Sequence, residues 1–336
     1  MTKRGWRDLD ESDVRVRPNR RNSRPRSKQR PGHSDALVGM VVAVDRGRWT
    51  CAVDGDPRQQ VVAMRAKELG RTPVVIGDRV WLVGDTSGEP DTLARIVRVE
   101  ERTSVLRRTA DDTDPYERVV VANAEQLVIV SSLWDPPPRS GFIDRCLVAA
   151  YAGGLTPVLC LTKADLAAPE DWISGYAELG ISVLTTRLDA EPTELRAALD
   201  GRVSALVGHS GVGKSTLVNR LVPDAERAIG RVSEVGKGRH TSTSAVAMAM
   251  PEDIGGWVVD TPGIRSFGLA HVTASDLVDS FEDLAAAAEE CPPNCGHLGG
   301  TEDPDCHLDT FVAEEGHEAQ LNSLRRLLRS RAGRDE

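Results

Sequence analysis

Three regimes of hydrophobic patterning divide the chain. Residues 1–34 hold few apolar positions and no period, and read as an arm that cannot fold alone. From Ala36, short alternating runs follow one another: LVGMVVAVDRGRWTCAV, QQVVAMRA, DRVWLV and LARIVRVEERTSVLRR. Asp45-Arg46-Gly47, Asp54-Gly55-Asp56-Pro57, Ile76-Gly77-Asp78 and Ser87-Gly88-Glu89-Pro90 separate them with turn chemistry. Short strands at this spacing predict a closed five-stranded barrel over residues 35–108, most naturally an OB-fold. Periodicity alone does not separate it from an SH3-like barrel.

The third regime alternates strands with helices and predicts a parallel sheet covered on both faces, over residues 115–270. VVVANAEQLVIVSS reads as one buried strand, and FIDRCLVAAYAGG as a helix with a glycine stop. TPVLCLTKADL, PEDWISGYAELG, ISVLTTR, EPTELRAALDG and VSALVGHSGVGKSTLVNRLV continue the alternation, and GWVVDTPG adds a later strand. Residues 271–336 read as helical with a Cys/His interruption, ending in the basic amphipathic EAQLNSLRRLLRSR. No internal repeats are present.

Bulk composition changes this picture little. The 336 residues, 40% hydrophobic and 28% charged, suit a water-soluble chain of two or three domains. Apolar runs such as LVIV and PVLCL fall far short of the ~20 residues that cross a bilayer, so no membrane partner is expected. No apolar segment follows the charged N-terminus, and six cysteines do not make a disulfide scaffold, so a reducing cytoplasm is the expected compartment. Charge is segregated. Residues 1–31 carry eleven Lys/Arg against four Asp/Glu, a net of +7, which leaves −16 for the rest of a chain of net −9. Such an arm either binds nucleic acid through counterion release or is a solvated tail.

Gly208-His209-Ser210-Gly211-Val212-Gly213-Lys214-Ser215 matches the full G-x-x-x-x-G-K-S/T pattern between an apolar strand and an amphipathic helix. Its amides, continuing to Thr216, are candidate phosphate ligands. Lys214 is expected at the β- and γ-phosphates and Ser215 at Mg²⁺. Asp260-Thr261-Pro262-Gly263 begins 52 residues after Gly208. Asp260 follows a strand and can approach Mg²⁺ through water, while Gly263 offers an N–H to the γ-phosphate. Between them, GKGRHTSTS reads as a switch, with Thr241 or Thr243 completing the Mg²⁺ shell. The catalytic assignment is Lys214, His240 and Asp260.

Thr162-Lys163-Ala164-Asp165 approximates the Asn-Lys-x-Asp reader of guanine. Asp165 can accept two hydrogen bonds that guanine offers and adenine does not. Lys163 would lie along the base, and Thr162 stands where asparagine is usual. That departure also leaves an ATPase reading open. The reader precedes the phosphate loop, a circular permutation of the common GTPase order, which a fold with adjacent termini tolerates.

TKAD, GHSGVGKSTLVN, GKGRHTSTS and DTPG, in that order and followed by a Cys/His cluster, closely resemble the ribosome small subunit-dependent GTPase A family. The resemblance spans residues 36 to about 330. It implies an N-terminal OB-fold, a circularly permuted P-loop GTPase domain and a C-terminal α-helical zinc-binding module. It also implies GTP hydrolysis stimulated by the small ribosomal subunit, late in that subunit's maturation, with contacts to its rRNA. Position 264, where many GTPases carry glutamine, is Ile264, so hydrolysis should be slow without a partner. His240, within the family's G-R-H-T pattern, is the candidate that orients water; His209 and Arg265 are alternatives. A protein that holds GTP as a structural ligand while binding RNA is the competing expectation. GTP, GDP and the small subunit are the expected partners of a monomer.

Cys291, Cys295, His297 and Cys306 lie within sixteen residues as C-x3-C-x-H-x8-C, a donor set for one structural Zn²⁺. The family's first gap is usually wider and its last shorter. His307 is a competing ligand.

Overall fold

The computed structural model describes residues 33–45, 47–70, 72–108, 118–177, 179–223, 225, 245–261 and 272–332. Strands β1 (Leu37–Asp45), β2 (Arg48–Val53), β3 (Asp56–Arg65), β4 (Arg79–Gly84) and β5 (Ala94–Val99) close a barrel. β1 pairs with β2 and β4, β2 with β3, and β5 with β4, all antiparallel, while β3 meets β5 in parallel. That order, 1-2-3-5-4-1, is the Greek-key closure of an OB-fold. Alternation puts Val41, Cys51, Val61, Val80, Leu82 and Ile96 in a sealed interior.

Two long strands expected from the pattern are each broken. LARIVRVEERTSVLRR divides into β5 and β6 (Val105–Arg108), and β6 leaves the barrel to pair with β7 (Arg118–Ala122). VVVANAEQLVIVSS divides at Asn123 into β7 and β8 (Gln126–Ser132). Asn123 sits at φ +54°, a left-handed turn that asparagine tolerates better than most residues. Its side-chain carbonyl accepts from the Thr103 amide at 2.9 Å, and its amide donates to the Gly77 carbonyl at 2.9 Å. The turn is therefore held by polar contacts that an apolar pattern does not register.

The second layer system runs β8, α1 (Ser140–Ala152), β9 (Thr156–Thr162), α2 (Glu170–Ala177), β10 (Ser182–Thr185), α3 (Thr193–Leu199), β11 (Val203–Val207), α4 (Lys214–Leu221), β12 (Val246–Ala249) and β13 (Trp257–Asp260). The strand order is β10-β9-β8-β11-β13-β12, with parallel pairing up to β13 and β12 antiparallel at the end. Every residue of β8 is buried, as expected of a central parallel strand with both faces covered. β12 also bridges to β1 at Ala43 and Val246, so barrel and parallel sheet form one eleven-stranded sheet.

The C-terminal region contributes α5 (Ala274–Val278), α6 (Glu282–Ala288), α7 (His307–Glu315) and α8 (Glu318–Arg331). A Thr273/Asp276 capping box starts α5. Leu321, Leu324, Leu327 and Leu328 bury one face of α8, which packs on α1. Among the described residues no helix is long and apolar enough to cross a membrane.

Candidate nucleotide site and metal centre

The C-terminal ends of the parallel strands carry the chemistry. β11 runs into the phosphate loop, and Gly213, at φ +90°, caps the start of α4. A side chain at Gly213 would be strained by that backbone. At Gly208 the restriction is space: a Cβ there would lie 2.6 Å from the Val130 carbonyl oxygen.

β9 ends at Thr162, whose buried hydroxyl donates to the Val212 carbonyl at 2.6 Å. Lys163, at φ +60°, donates from Nζ to the Gly211 carbonyl at 3.1 Å and to the Asp135 carbonyl. The Thr-Lys-Ala-Asp turn thus holds two carbonyls of the phosphate loop, although the two segments lie 50 residues apart at Thr162 and Val212. Between them opens a cavity of about 250 Å³. Thr162, Lys163 and Asp165 line it from one side of the chain order, Gly213, Thr216 and Leu217 from the other. The loop after β10 supplies Thr186, Arg187 and Leu188, and α4 supplies Arg220. Leu166 and Leu188 are apolar walls, 55% and 72% exposed.

On the other flank of the phosphate loop, Lys214 Nζ forms an ion pair with Asp260 at the end of β13. Both side chains are mostly buried. Ser215 follows Lys214 in the first turn of α4. Thr261 donates to the Leu206 carbonyl at 2.6 Å, fixing the strand end behind the pair. His209 packs its ring on Phe142 of α1, centroids 4.0 Å apart. His209, Ser210 and Val212 also line a second cavity with Arg139, of about 270 Å³. His240, Thr241, Thr243, Gly263, Ile264 and Arg265 lie outside the described residues.

In the C-terminal region, Cys291, Cys295, His297 and Cys306 each bring one ligand atom into a group whose members all lie within 4.8 Å of one another. Asp303 builds the loop, accepting from the amides of Gly296 at 3.1 Å and Leu298 at 2.9 Å. Those two bonds hold its carboxyl below the usual carboxylate range. Arg325 of α8 donates to the His297 carbonyl at 3.1 Å and pairs with Asp309, so α8 braces the cluster. His307 faces Glu290 at 3.6 Å and is not part of the group.

A family model described as RsgA GTPase matches residues 99–270. A small ribosomal subunit biogenesis GTPase RsgA from Chlorobaculum parvum is 35% identical over 293 residues, covering 83% of this chain and 93% of the relative. The chain belongs to the RsgA GTPase family. A second relative of the same name, from Azotobacter vinelandii, is 38% identical over 307 residues, 88% of this chain and 84% of its own. Among solved structures, YloQ, described as a circularly permuted GTPase, superposes with a TM-score of 0.63 at 20% identity, over 92% of this chain and 99% of its own. YjeQ from Thermotoga maritima gives 0.62 at 24% identity, over 89% and 100%. The permuted GTPase fold, the barrel and the Cys/His module expected from the RsgA-like motif order are therefore what the chain adopts.

Sequence reasoning missed three contributors. Lys214 and Asp260 each sit in a motif but were not expected as partners of one another, and the Leu166 and Leu188 walls and Arg220 follow no motif.

Proposed function

We propose that this RsgA-family GTPase docks on the small ribosomal subunit and hydrolyses GTP to GDP and phosphate when docked, late in that subunit's maturation. It acts in the cytoplasm as a monomer. The observation that carries the reading is the 2.6 Å hydrogen bond from Thr162 to the Val212 carbonyl. It joins base reader and phosphate cradle around one cavity. The names of the curated relatives, small ribosomal subunit biogenesis GTPase, supply the partner.

In this reading Asp165 accepts the two guanine N–H groups, with Lys163 along the base. Thr162 does the work of the usual asparagine by bonding across to the loop. Amides from Gly208 through Thr216 wrap the phosphates, helped by the N-terminus of α4. Lys214 exchanges the Asp260 carboxylate for β- and γ-phosphate oxygens, and Gly263 donates to the γ-phosphate. Ser215, Thr241 and Asp260 would hold Mg²⁺, and hard oxygen donors suit that ion. When bound, Mg²⁺ neutralises charge building on the phosphate oxygens. Phosphoryl transfer needs little else from the protein beyond an oriented water. His240 fills that role, because Ile264 cannot.

The cluster of Cys291, Cys295, His297 and Cys306 would hold one structural zinc. Three sulfurs and an imidazole are the donor set of a closed tetrahedral site. His297 Nδ1 is buried without a hydrogen-bond partner, as a nitrogen awaiting a metal would be. Burial also lowers the His297 pKa, keeping the ring neutral and able to ligate. Four protein ligands leave no open position for catalysis. The barrel, the zinc module and the basic arm are the surfaces for rRNA.

The test is phosphate release with and without purified small subunits, on the intact chain and on His240→Ala. Strong stimulation, lost in the variant, is expected. Release that stays negligible with subunits present, while GTP remains bound, would make the nucleotide a structural ligand of an RNA-binding factor. Competition by ATP, with Asp165→Ala as control, checks base identity.

A further inference from the structure

We propose that Arg220 sets the guanine-nucleotide affinity of the site by tying the base-binding loop to the helix of the phosphate loop. The proposal rests on the nucleotide reading above and adds a positioning residue to it. Arg220 sits in the last turn of α4, the helix that begins with Lys214. Its Nη1 donates to the Arg187 carbonyl at 2.7 Å, and its Nη2 donates to the Ala190 carbonyl. Both carbonyls belong to the loop after β10, whose Thr186, Arg187 and Leu188 line the cavity with Asp165.

The clamp is itself braced. Arg196 of α3 donates from Nη2 to the Arg220 carbonyl at 2.7 Å and lies 3.8 Å from Glu191. On its other side the loop meets the Thr-Lys-Ala-Asp turn, where the Ala164 amide donates to the Thr186 carbonyl at 3.2 Å. One helix therefore carries the phosphate lysine at its start and holds the base loop at its end.

Leu188 shows why the loop needs holding. It lines the cavity while 72% exposed, so burial contributes little to its position. A free loop would have to be ordered by the nucleotide, and that entropy would be subtracted from affinity. The planar guanidinium fork orders two carbonyls at once; an ammonium on a flexible stem does so less well. The base lies far from the reacting phosphate, so this contribution is the same in the bound and transition states. It should appear in KM rather than kcat. Two hydrogen bonds of ordinary net strength correspond to a loss of about tenfold or somewhat more.

The experiment uses the full chain, fluorescent GDP and inosine diphosphate as probes, and GTP turnover with small subunits. Arg220→Met is expected to weaken both probes about tenfold and to raise KM by the same factor, with the loss absent from kcat. Arg220→Lys should recover only part. The melting temperature without nucleotide should stay near that of the parent. Undiminished GDP binding by Arg220→Met would overturn the proposal. So would full recovery by lysine, or parallel losses in KM, kcat and melting temperature, which mark general damage. Asp165→Ala separates the two levels: it should abolish the preference for GDP over inosine diphosphate, which Arg220→Met keeps. If Asp165→Ala leaves that preference intact, the guanine reading fails regardless of Arg220.

Discussion

Replacing Arg326 by methionine should loosen the joint between the C-terminal module and the GTPase sheet, and should do so in a pH-dependent way. Arg326 of α8 reaches across to Asp144 of α1, with Nε 2.7 Å from Oδ2. The contact is an ion pair rather than an aligned hydrogen bond, since Nε and Nη2 are buried without hydrogen-bond partners of good geometry. The Asp144 side chain is only 3% exposed, the Arg326 side chain 41%. Tyr176 of α2 donates its hydroxyl to Asp144 at 3.2 Å, and the guanidinium lies over the Tyr176 ring at 5.0 Å. Burial and the Asp144 carboxylate push the Tyr176 pKa up, so the phenol stays a donor.

Removing the guanidinium leaves a carboxylate buried beside apolar residues. Breaking such a pair from one side costs about 3–5 kcal/mol. The carboxyl can escape by taking up a proton. At pH 7, with an ordinary Asp pKa near 3.9, that escape costs about 4 kcal/mol, at about 1.4 kcal/mol per pH unit. At pH 5 it costs only about 1.5 kcal/mol. The folded variant then has an Asp144 pKa above the unfolded value. It binds the extra proton, and its deficit grows as pH rises through that range. Denaturant titrations of parent and Arg326→Met at pH 7 and pH 5, with hydrogen exchange in α8 as a local readout, would measure this. Asp144→Leu combined with Arg326→Met should recover most of the loss, since an apolar pair leaves no buried charge. A deficit below about 1 kcal/mol, or one equal at both pH values, would refute the argument.

Thr162→Val keeps the volume but leaves the buried Val212 carbonyl without its donor, at a cost of about 1–3 kcal/mol. Nucleotide affinity measured calorimetrically should fall by at least tenfold, with Thr162→Asn retaining most of it. Cys51 and Cys160 are pushed up to about 12 by burial. Their folded pKa values exceed the unfolded one, so between pH 9 and 12 the folded state holds more protons and stability falls as pH rises; melting temperatures across that window should decline. Stripping the Cys/His cluster with a chelator should release one metal ion per chain and expose Cys291, Cys295 and Cys306 to thiol reagents, with Cys51, Cys146 and Cys160 silent until unfolding. Reactivity of all six at once would mean that the metal holds the whole fold rather than one module.

The phosphate loop was legible because its constraints are local. Left-handed backbone at Gly211 and Gly213 and a helix N-terminus are specified within nine residues, whereas the crowding at Gly208 comes from Val130 of β8. The Cys/His cluster was legible for the same reason: its four residues lie within one short stretch of chain. The barrel and the alternating sheet followed from period and turn chemistry. The breaks at Asn123 and between β5 and β6 did not, because polar contacts to distant backbone, not the apolar pattern, decide where those strands stop.

Residue types alone therefore determined which segments become strand, helix, glycine-rich loop or Cys/His loop, and in which order they come. They also exposed the permuted order, since motif order needs no coordinates. Only the folded chain decided which of these meet. The Ala43–Val246 bridge that merges barrel and sheet, the Lys214–Asp260 and Asp144–Arg326 pairs, and the Arg220 clamp each join residues many positions apart. The reason is physical. A backbone conformation is selected by a residue and its neighbours, whereas a charge pair or strand register exists only once packing has brought two surfaces together.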